Sequence, residues 1–272
     1  MHSSNRLKVV RIPVERLERQ QIEDMWTLYA GYYERVNRTT FDTDLREKQC
    51  VFVGLDRTSG QVRGFSTAIL DTHVYRGRRV GVYFSGDTLV EPRYWGQRPF
   101  HRVCALMLLE WRLQHPFTRL YWHLICNGYR TFLTLASNFP EYWPHPEKGL
   151  PGWERGLIDT ITRARFGPKW RPEAGVVRDD VRLKPHVAPF TPEVRRIPAV
   201  RFFLERNPGY AEGDELSMVG RVNTGFFVRV SAKLVRSLLR RSFSRSRTPS
   251  RKPPRAEQRK RASSPPGAVS VP

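Results

Sequence analysis

The chain has 272 residues, of which 39% are hydrophobic and 12% aromatic, so it can bury a sizeable core and is not a wholly disordered chain. Its formal net charge is +21, and residues 233–262 supply +11 of it, with twelve Lys and Arg against Glu257 alone. A basic balance of this kind favours anionic partners: nucleic acid, an anionic membrane surface or a phosphate-rich ligand.

The cysteine pattern and the N-terminal segment indicate the cellular compartment of the protein. Cys50, Cys104 and Cys126 stand in apolar contexts, and no two of them have a Cys-x-x-Cys spacing. This predicts buried free thiols, with neither a disulfide framework nor a zinc site. The start of the chain lacks the apolar core of a signal peptide, and no window approaches the roughly 18 apolar residues of a spanning helix. The sequence therefore predicts a soluble, cytoplasmic protein.

The first third of the chain changes from helical to strand periodicity. Apolar and aromatic residues recur at helical spacing after a first short strand, and a second helix follows with Asp42 or Thr43 as its N-cap. Three β-rich runs joined by short Gly-containing turns then predict an antiparallel meander. The predicted elements are 9–12 (strand), 17–36 and 41–48 (helices), and 50–55, 62–70 and 79–90 (strands).

The rest of the chain predicts an α/β domain, an extension and a tail. A helix at 99–114, a central strand at 119–126 and a helix at 129–137 are followed by Pro-rich connectors, a helix at 152–166 and strands near 176 and 215–222. We predict a domain over 1–145, an extension over 146–230 that completes or covers it, and a basic segment over 231–272. The last segment contains a cationic helix end and a low-complexity Ser/Arg/Pro tail, which we predict to be disordered.

The connection from the third meander strand to the next helix has the residues of a phosphate-binding loop. Arg93-Tyr94-Trp95-Gly96-Gln97-Arg98 precedes the helix that Pro99 opens. Backbone N–H groups at a helix start are unpaired and favour an anion, and a glycine lets a pyrophosphate approach the backbone. Taken by itself, the segment also fits a plain strand-to-helix connection.

The order of elements around this loop resembles the GNAT superfamily of acyl-CoA-dependent acyltransferases. The segment Leu89–Gln97 looks like that family's Val-x-Pro-x-Tyr/Trp-x-Gly pattern, and the resemblance covers residues 9–140. It implies an α/β fold with a mixed sheet, made of an antiparallel meander and a central parallel strand pair, flanked by helices. It also implies acetyl-CoA or a longer acyl-CoA as a substrate, with no metal.

Further positions follow from the same resemblance. Val90, Arg93, Gly96, Gln97 and Arg98 would bind the acyl-CoA, although the family has Gly or Ala where this chain has Arg98. Such a bulky cation could pair with a phosphate or fill the space that the phosphate needs.

The resemblance also places residues near the reacting groups. Asn127 and Tyr129 begin the helix that would line the site near the thiol, and the family's thiolate-protonating Tyr falls at Thr134, whose hydroxyl is far less acidic. Asp87, beside a bulge predicted at Gly86, is the candidate base for the acceptor amine. It also fits a strand-end carboxylate that caps local N–H groups or pairs with an arginine.

Other chemistries are less well supported. The stretch Gly64–Ala68 approximates a nucleophile elbow but lies inside a strand, and the seven histidines show no metal-ligand spacing. His123 is predicted to be a hydrogen-bonded core residue.

The sequence thus predicts transfer of an acyl group to a small-molecule or peptide amine. Two alternatives remain open: a catalytically inactive GNAT-fold binding module, and contact with nucleic acid or an anionic membrane through the basic C-terminal segment, residues 227–262. The acceptor, the acyl chain and the oligomeric state are not specified by the sequence.

Overall fold

The computed structural model describes residues 7–95 and 100–233, in which nine strands form one mixed sheet and two others form a separate pair. The sheet has the order β1-β3-β4-β5-β6-β11-β9-β8, with β7 beside β11, and β10 pairs with β2. The strands are β1 (Lys8–Pro13), β2 (Tyr33–Glu34), β3 (Cys50–Leu55), β4 (Val62–Tyr75), β5 (Arg78–Val90), β6 (Arg119–Cys126), β7 (Tyr142–Trp143), β8 (Trp170–Arg171), β9 (Val176–Val177), β10 (Arg182–Leu183) and β11 (Glu215–Arg221).

Helices cover both faces of this sheet. The helices are α1 (Arg19–Tyr32), α2 (Arg38–Arg46), α3 (His101–Gln114), α4 (Tyr129–Asn138), α5 (Gly152–Phe166), α6 (Pro192–Arg195) and α7 (Pro198–Arg206), and residues 224–232 are helical as well. On one face α3, α4 and α7 pack over a core that contains Tyr83, and on the other α5 packs over Val82. Successive strand residues point to opposite faces, so both faces are buried. Next to α5, helices α1 and α2 cover Phe65.

The predicted architecture is confirmed. Strands β3, β4 and β5 form an antiparallel meander, β5 and β6 are a parallel pair, and the flanking strands pair antiparallel. Strand β11 comes from the extension and lies between β6 and β9, so the extension contributes to the same sheet. The domain boundary near residue 145 stays a prediction, and the disorder predicted for the tail concerns residues outside the described part of the chain.

Several local predictions are settled by contacts. Cys50, Cys104 and Cys126 are buried free thiols, as predicted. His123 is fully buried, and its Nε2 lies 3.1 Å from the Ser217 hydroxyl oxygen, so the prediction of a hydrogen-bonded core residue is confirmed.

The predicted cap of the second helix, Asp42 or Thr43, is wrong. Helix α2 begins at Arg38, and the Asn37 side chain caps it by accepting a hydrogen bond from the Thr40 N–H at 3.0 Å. Asn37 satisfies a free N–H group of the first turn. The helix therefore begins before the apolar repeat on which its prediction was based.

The close contact of α3 with the sheet depends on one glycine. Gly81 lies in β5, and a Cβ there would stand 2.3 Å from a ring carbon of Trp111 on α3. We expect Gly81→Ala to lower the free energy of unfolding by about 1–3 kcal/mol, because the added methyl overpacks this contact. Urea unfolding of the purified variant measures the change.

Gly31 provides the matched control. It lies in α1, and a Cβ there would have no heavy atom within 4 Å. Gly31→Ala should raise the free energy of unfolding by about 0.5–1 kcal/mol, since alanine favours the helix. A similar loss of stability in both variants would contradict the packing argument for Gly81.

Candidate functional site

The parallel strands β5 and β6 part before either ends, and a wedge opens between them. Their pairing runs from Val80 beside Arg119 to Ser85 beside Leu124. Beyond that point, Thr88, Leu89 and Val90 pair only with β4, whereas β6 continues beside β11. We call the space between the diverging ends the wedge. The predicted acyl-CoA loop follows β5 at this end of the sheet.

A β-bulge in β5 forms the floor of the wedge. Ser66 pairs with Thr88 and Ala68 with Ser85, so two residues of β5, Gly86 and Asp87, stand opposite the single residue Thr67. The bulge that the sequence predicted at Gly86 is therefore present.

The bulge accepts no side chain at its first position. A Cβ on Gly86 would lie 2.4 Å from the Thr67 hydroxyl oxygen and 3.2 Å from Cε of Lys48. Glycine therefore allows this close approach of β4, and the residue after it, Asp87, is only partly exposed. The Thr67 hydroxyl is fully buried and has no hydrogen-bond partner.

Strand β5 turns backbone groups toward the wedge beyond the bulge. The Glu91 N–H donates to the Arg63 carbonyl at 2.9 Å, so the backbone groups of Thr88 and Val90 point away from β4. The Val90 carbonyl accepts hydrogen bonds from the Tyr32 hydroxyl at 2.8 Å and from Trp95 Nε1 at 2.6 Å. The end of β5 is thereby tied to α1 and to the segment that follows the strand.

Asp87 shares the wedge with a second carboxyl group. Burial, followed by the charge of Asp44, raises the pKa of Asp87 to about 7, and Lys48 opposes the rise. Burial, followed by the charges of Asp87 and Asp179, raises the pKa of Glu215 to about 8. Two carboxyl groups that titrate near neutral pH at one place can hold or release a proton under ordinary conditions.

Helix α1 and the first residue of β2 contribute two phenol groups to the same cluster. Burial raises the pKa of Tyr29 and of Tyr33 far above the usual range, and the charge of Asp87 adds to the effect on both. The two rings have their centroids 4.9 Å apart, and Tyr29 also packs 5.2 Å from Phe41. The aromatic face of α1, which the sequence indicated as core, therefore also borders the carboxyl groups.

The extension closes this side of the wedge. Leu183 pairs with Tyr33, and the Lys184 Nζ donates to the Ala30 carbonyl at 2.8 Å. Gly213, at φ +107, leaves room for the Asp179 carbonyl oxygen, which would stand 2.4 Å from a Cβ there. These contacts bring Asp179 and Glu215 from the extension to the cluster around Asp87.

The predicted residues on the α4 side occupy a different environment. Asn127 is buried, and its Nδ2 has no hydrogen-bond partner. Tyr129 is buried in the core under α3, α4 and α7, with its ring 4.9 Å from Phe190. Thr134 is exposed, and its hydroxyl donates to the Arg130 carbonyl at 2.9 Å. The structure therefore brings Asp87 together with Glu215, Tyr29 and Tyr33, and it does not place Tyr129 among them.

The predicted acyl-CoA residues are only partly described. Gly96, Gln97 and Arg98 lie outside the described residues. The Arg93 guanidinium donates to Glu91 at 2.8 Å and lies 4.8 Å from the Tyr94 ring centroid, so a carboxylate already accompanies its charge. Across the mouth of the wedge, the Arg130 guanidinium of α4 stacks on Trp95 at 4.3 Å.

Sequence reasoning missed Glu215. It interpreted the segment around Glu215 as structural, because a lone acidic residue at the start of a strand carries no motif. No local signal marks Glu215, because the pairing of β11 beside β6 is what brings it to the cluster. Among the described residues, no group of three His, Cys, Asp or Glu side chains could hold a metal ion, and no helix is long and apolar enough to cross a membrane.

Comparison with solved structures finds distant likenesses. A protein of Enterococcus faecalis described as a probable N-acyltransferase is 15% identical, with a TM-score of 0.37 over 50% of this chain and 33% of that one. Arabidopsis thaliana NAA60 in complex with a bisubstrate analogue is 13% identical, with a TM-score of 0.35 over 50% of this chain and 87% of that one.

A third likeness is to the Escherichia coli GNAT family N-acetyltransferase YhbS in complex with CoA. It is 18% identical, with a TM-score of 0.35 over 55% of this chain and 81% of that one. No model of a protein family matches the chain, and no curated sequence matches it. Likenesses at this distance do not establish what the chain does.

The raised pKa of Asp87 predicts how stability depends on pH. An unfolded aspartate loses its proton near pH 4, whereas folded Asp87 keeps it to about pH 7, so this group's contribution to stability is lost as the pH rises through that window. The free energy of unfolding should therefore fall between about pH 4 and pH 8, and Asp87→Asn should flatten this fall. At pH 8 we expect the variant to be more stable than the wild type by about 1–3 kcal/mol.

Urea unfolding at several pH values provides the measurement. Asp180→Asn removes an exposed carboxyl group from the extension and serves as the matched control, which should leave the pH dependence unchanged. A wild-type slope that persists in Asp87→Asn would show that another group holds the proton.

Proposed function

We propose that the chain transfers an acyl group from acetyl-CoA or a longer acyl-CoA to an amine, and that the two substrates meet in the wedge between β5 and β6. The observation that carries this proposal is Asp87. It lies where the strands part, at a bulge that only glycine can form, and its pKa is close to neutral. A general base is most effective when its pKa lies near the working pH.

Described residues supply contacts that a thioester and its phosphates need. The backbone groups of Thr88 and Val90 point toward the wedge, and the unpartnered Asn127 Nδ2 is a buried donor beside the end of β6. The Arg130 guanidinium at the mouth makes no ion pair within the described residues, so it is available to a phosphate once it leaves Trp95. Arg93 suits this role less, because its guanidinium is held beside Glu91, a carboxylate that it shares with Arg63.

The chemistry assigned to the chain is proton removal and orientation. The neutral amine gives a proton to the Asp87 carboxylate as its nitrogen forms a bond to the acyl carbon and the carbon–sulfur bond breaks, and Asp87 then returns this proton to solvent. The CoA thiolate then takes a proton from water, since Thr134 is no acid and its hydroxyl is directed to a backbone carbonyl. The buried floor around Gly86 keeps the Asp87 carboxyl poorly hydrated, which keeps it basic enough for this step.

The acceptor in this proposal is a small-molecule or peptide amine that approaches along α1 and the extension. The ionised Asp87 carboxylate attracts an ammonium group, which releases one proton to solvent before it reacts; Asp179 is already paired with Lys169 at 2.7 Å, and Glu215 keeps its proton to about pH 8. Tyr29 and Tyr33 provide apolar ring faces beside the carboxyl groups.

Calorimetry with acetyl-CoA and with longer acyl-CoAs tests the donor. We expect saturable heat with at least one of them, and weaker binding in Arg130→Ala by about tenfold if the guanidinium meets a phosphate. An exposed arginine of the first inter-strand turn, replaced in Arg57→Ala, is the matched control. No heat and no thermal shift with any acyl-CoA would end the donor proposal.

The pH dependence of kcat/KM tests Asp87 as the general base. Activity, followed as release of CoA thiol with an amine panel, should rise with pH through about 7 as Asp87 loses its proton. Asp87→Asn should lower kcat/KM by roughly 10²–10⁴-fold. Asp44→Asn should move the rising limb to lower pH, because the charge of Asp44 helps to raise the pKa of Asp87. If kcat/KM rose at the same pH in both variants as in the wild type, the assignment of Asp87 as the general base would be contradicted.

A non-catalytic binding module is the second candidate. Thr134 favours it, since the position of the family's acid holds an exposed threonine whose hydroxyl is engaged with its own helix. Acyl-CoA binding in calorimetry without thiol release from any amine would select this candidate.

A further inference from the structure

Three large apolar side chains project into solvent at the end of the sheet where β5 and β6 begin. The exposed fractions are 71% for Val74, 73% for Leu113 and 99% for Phe117. Val74 belongs to the β4–β5 hairpin, Leu113 to the last turn of α3, and Phe117 to the connection from α3 to β6. Because β5 residue Val80 pairs with β6 residue Arg119, the hairpin and this connection lie at the same end.

Exposed cations surround these apolar groups. Arg76, Arg78 and Arg79 lie in the same hairpin, and none of the three joins an ion pair within the described residues. Of the carboxylates on the neighbouring helices, Glu110 is paired with Arg11 at 3.0 Å, and Glu154 is buried and accepts the Tyr121 hydroxyl. We call this surface the base: Val74, Arg76, Arg78, Arg79, Leu113 and Phe117.

We propose that the base docks the protein on an anionic lipid bilayer. Val74, Leu113 and Phe117 insert among the lipid headgroups, and the three hairpin arginines meet the negative charges of the lipids. Burial of apolar side chains and attraction of basic residues to an anionic surface are the two contributions that hold a peripheral protein on a membrane. The base presents both at once.

The shape of the base distinguishes a bilayer from other anionic partners. Phe117 is almost fully exposed and protrudes from a short connection, so it lines no groove that a peptide could fill. Nucleic acid would engage the arginines and leave the apolar side chains in water, and a lone phenylalanine is no stacking platform for bases. Of these partners, a lipid surface is the one that binds the arginines and buries Val74, Leu113 and Phe117 at the same time.

The apolar surface continues along α3. Leu106 and Leu109 are 47% and 40% exposed, and with Leu113 they recur at helical spacing on the outer face of the helix. A helix with apolar residues on both its buried and its outer face is unusual where water covers the outer face. A bilayer at the base would shield the last turn of α3 first and the earlier turns with increasing depth.

Docking at the base leaves the wedge accessible. Strand β5 runs from Arg78 at the base to the bulge at Asp87, a span of roughly 30 Å at about 3.3 Å per residue. The wedge therefore faces away from the bilayer, so substitutions at the base should leave binding in the wedge unchanged.

Co-sedimentation of the full chain with vesicles tests the proposal. We expect binding to phosphatidylcholine vesicles that contain phosphatidylserine, and little binding to phosphatidylcholine alone. The Leu113→Ser, Phe117→Ser variant should bind at least about tenfold more weakly, and the Arg76→Gln, Arg78→Gln, Arg79→Gln variant should lose roughly fivefold per arginine. The conservative variant Phe117→Trp should keep wild-type affinity.

Controls separate the base from the basic C-terminal segment, which every variant retains. Ile197→Ser removes an apolar side chain that is 40% exposed elsewhere, and Arg57→Gln, Arg196→Gln, Arg201→Gln removes the same charge from other exposed positions. Both should bind like the wild type, and thermal unfolding should be unchanged in every variant. Base variants that bind like the wild type, or wild-type protein that ignores anionic vesicles, would overturn the proposal. Light scattering provides one more test. If the wild type were a dimer and the base variants were monomers, the proposal would also be overturned, because the surface would then belong to a contact with a second copy of the chain.

Discussion

The architecture depends on the divergence of two parallel strands. Strand β5 stays paired with β4 at Thr88–Val90, and β6 stays paired with β11 up to Cys126. The pairing between β5 and β6 ends at Ser85 and Leu124, directly before the bulge at Gly86, and the wedge opens there. The bulge at Gly86 increases the local twist in the same direction and turns Asp87 out of the regular ladder. Two features of backbone pairing therefore create the wedge and place its carboxyl group.

The chain tolerates a costly arrangement at this point. Asp87 and Glu215 are carboxyl groups with restricted access to water, which raises the pKa of both, and the charge of Asp87 raises the pKa of Glu215 further. Lys48 relieves Asp87 only in part, because its own ammonium is paired with Asp44. An apolar pair of similar size would fold more stably at neutral pH, since it would avoid the cost of burying charge. Two carboxyl groups with raised pKa beside an opening are what the proposed proton transfer requires, at the expense of stability.

The parts of this arrangement that the sequence predicts are those encoded locally. The bounds of β3 and β6, the bulge at Gly86 and the candidate role of Asp87 follow from β-branched runs, a glycine and a carboxylate within a few residues of one another. Periodicity carries such information because it depends on neighbours along the chain. The start of α2 was displaced because Asn37 caps it from outside the apolar repeat.

Glu215 could not be found in the same way. It reaches Asp87 only because β11 inserts beside β6 and because the loop around Asp179 rests on Gly213. Each of these steps joins segments that are far apart in the sequence, and no local pattern records them. Tyr29 and Tyr33 show what local spacing can and cannot predict. Their spacing correctly indicated a packed face at α1 and its end, but it did not show that this face borders two carboxyl groups.

The direction of the parallel pair gives the sheet two chemically different ends. Strands β5 and β6 begin together at the base and diverge only after Ser85 and Leu124, so the sheet is closed at one end and open at the other. The connections at the closed end are short and exposed, which is where Phe117 and the hairpin arginines lie. The open end collects the helix start of α4, the end of α1 and the extension. The surface proposed to dock on lipid and the cleft proposed to bind substrates can therefore change independently, because among the described residues only the strands themselves and the long helix α3 connect Phe117 with Asp87.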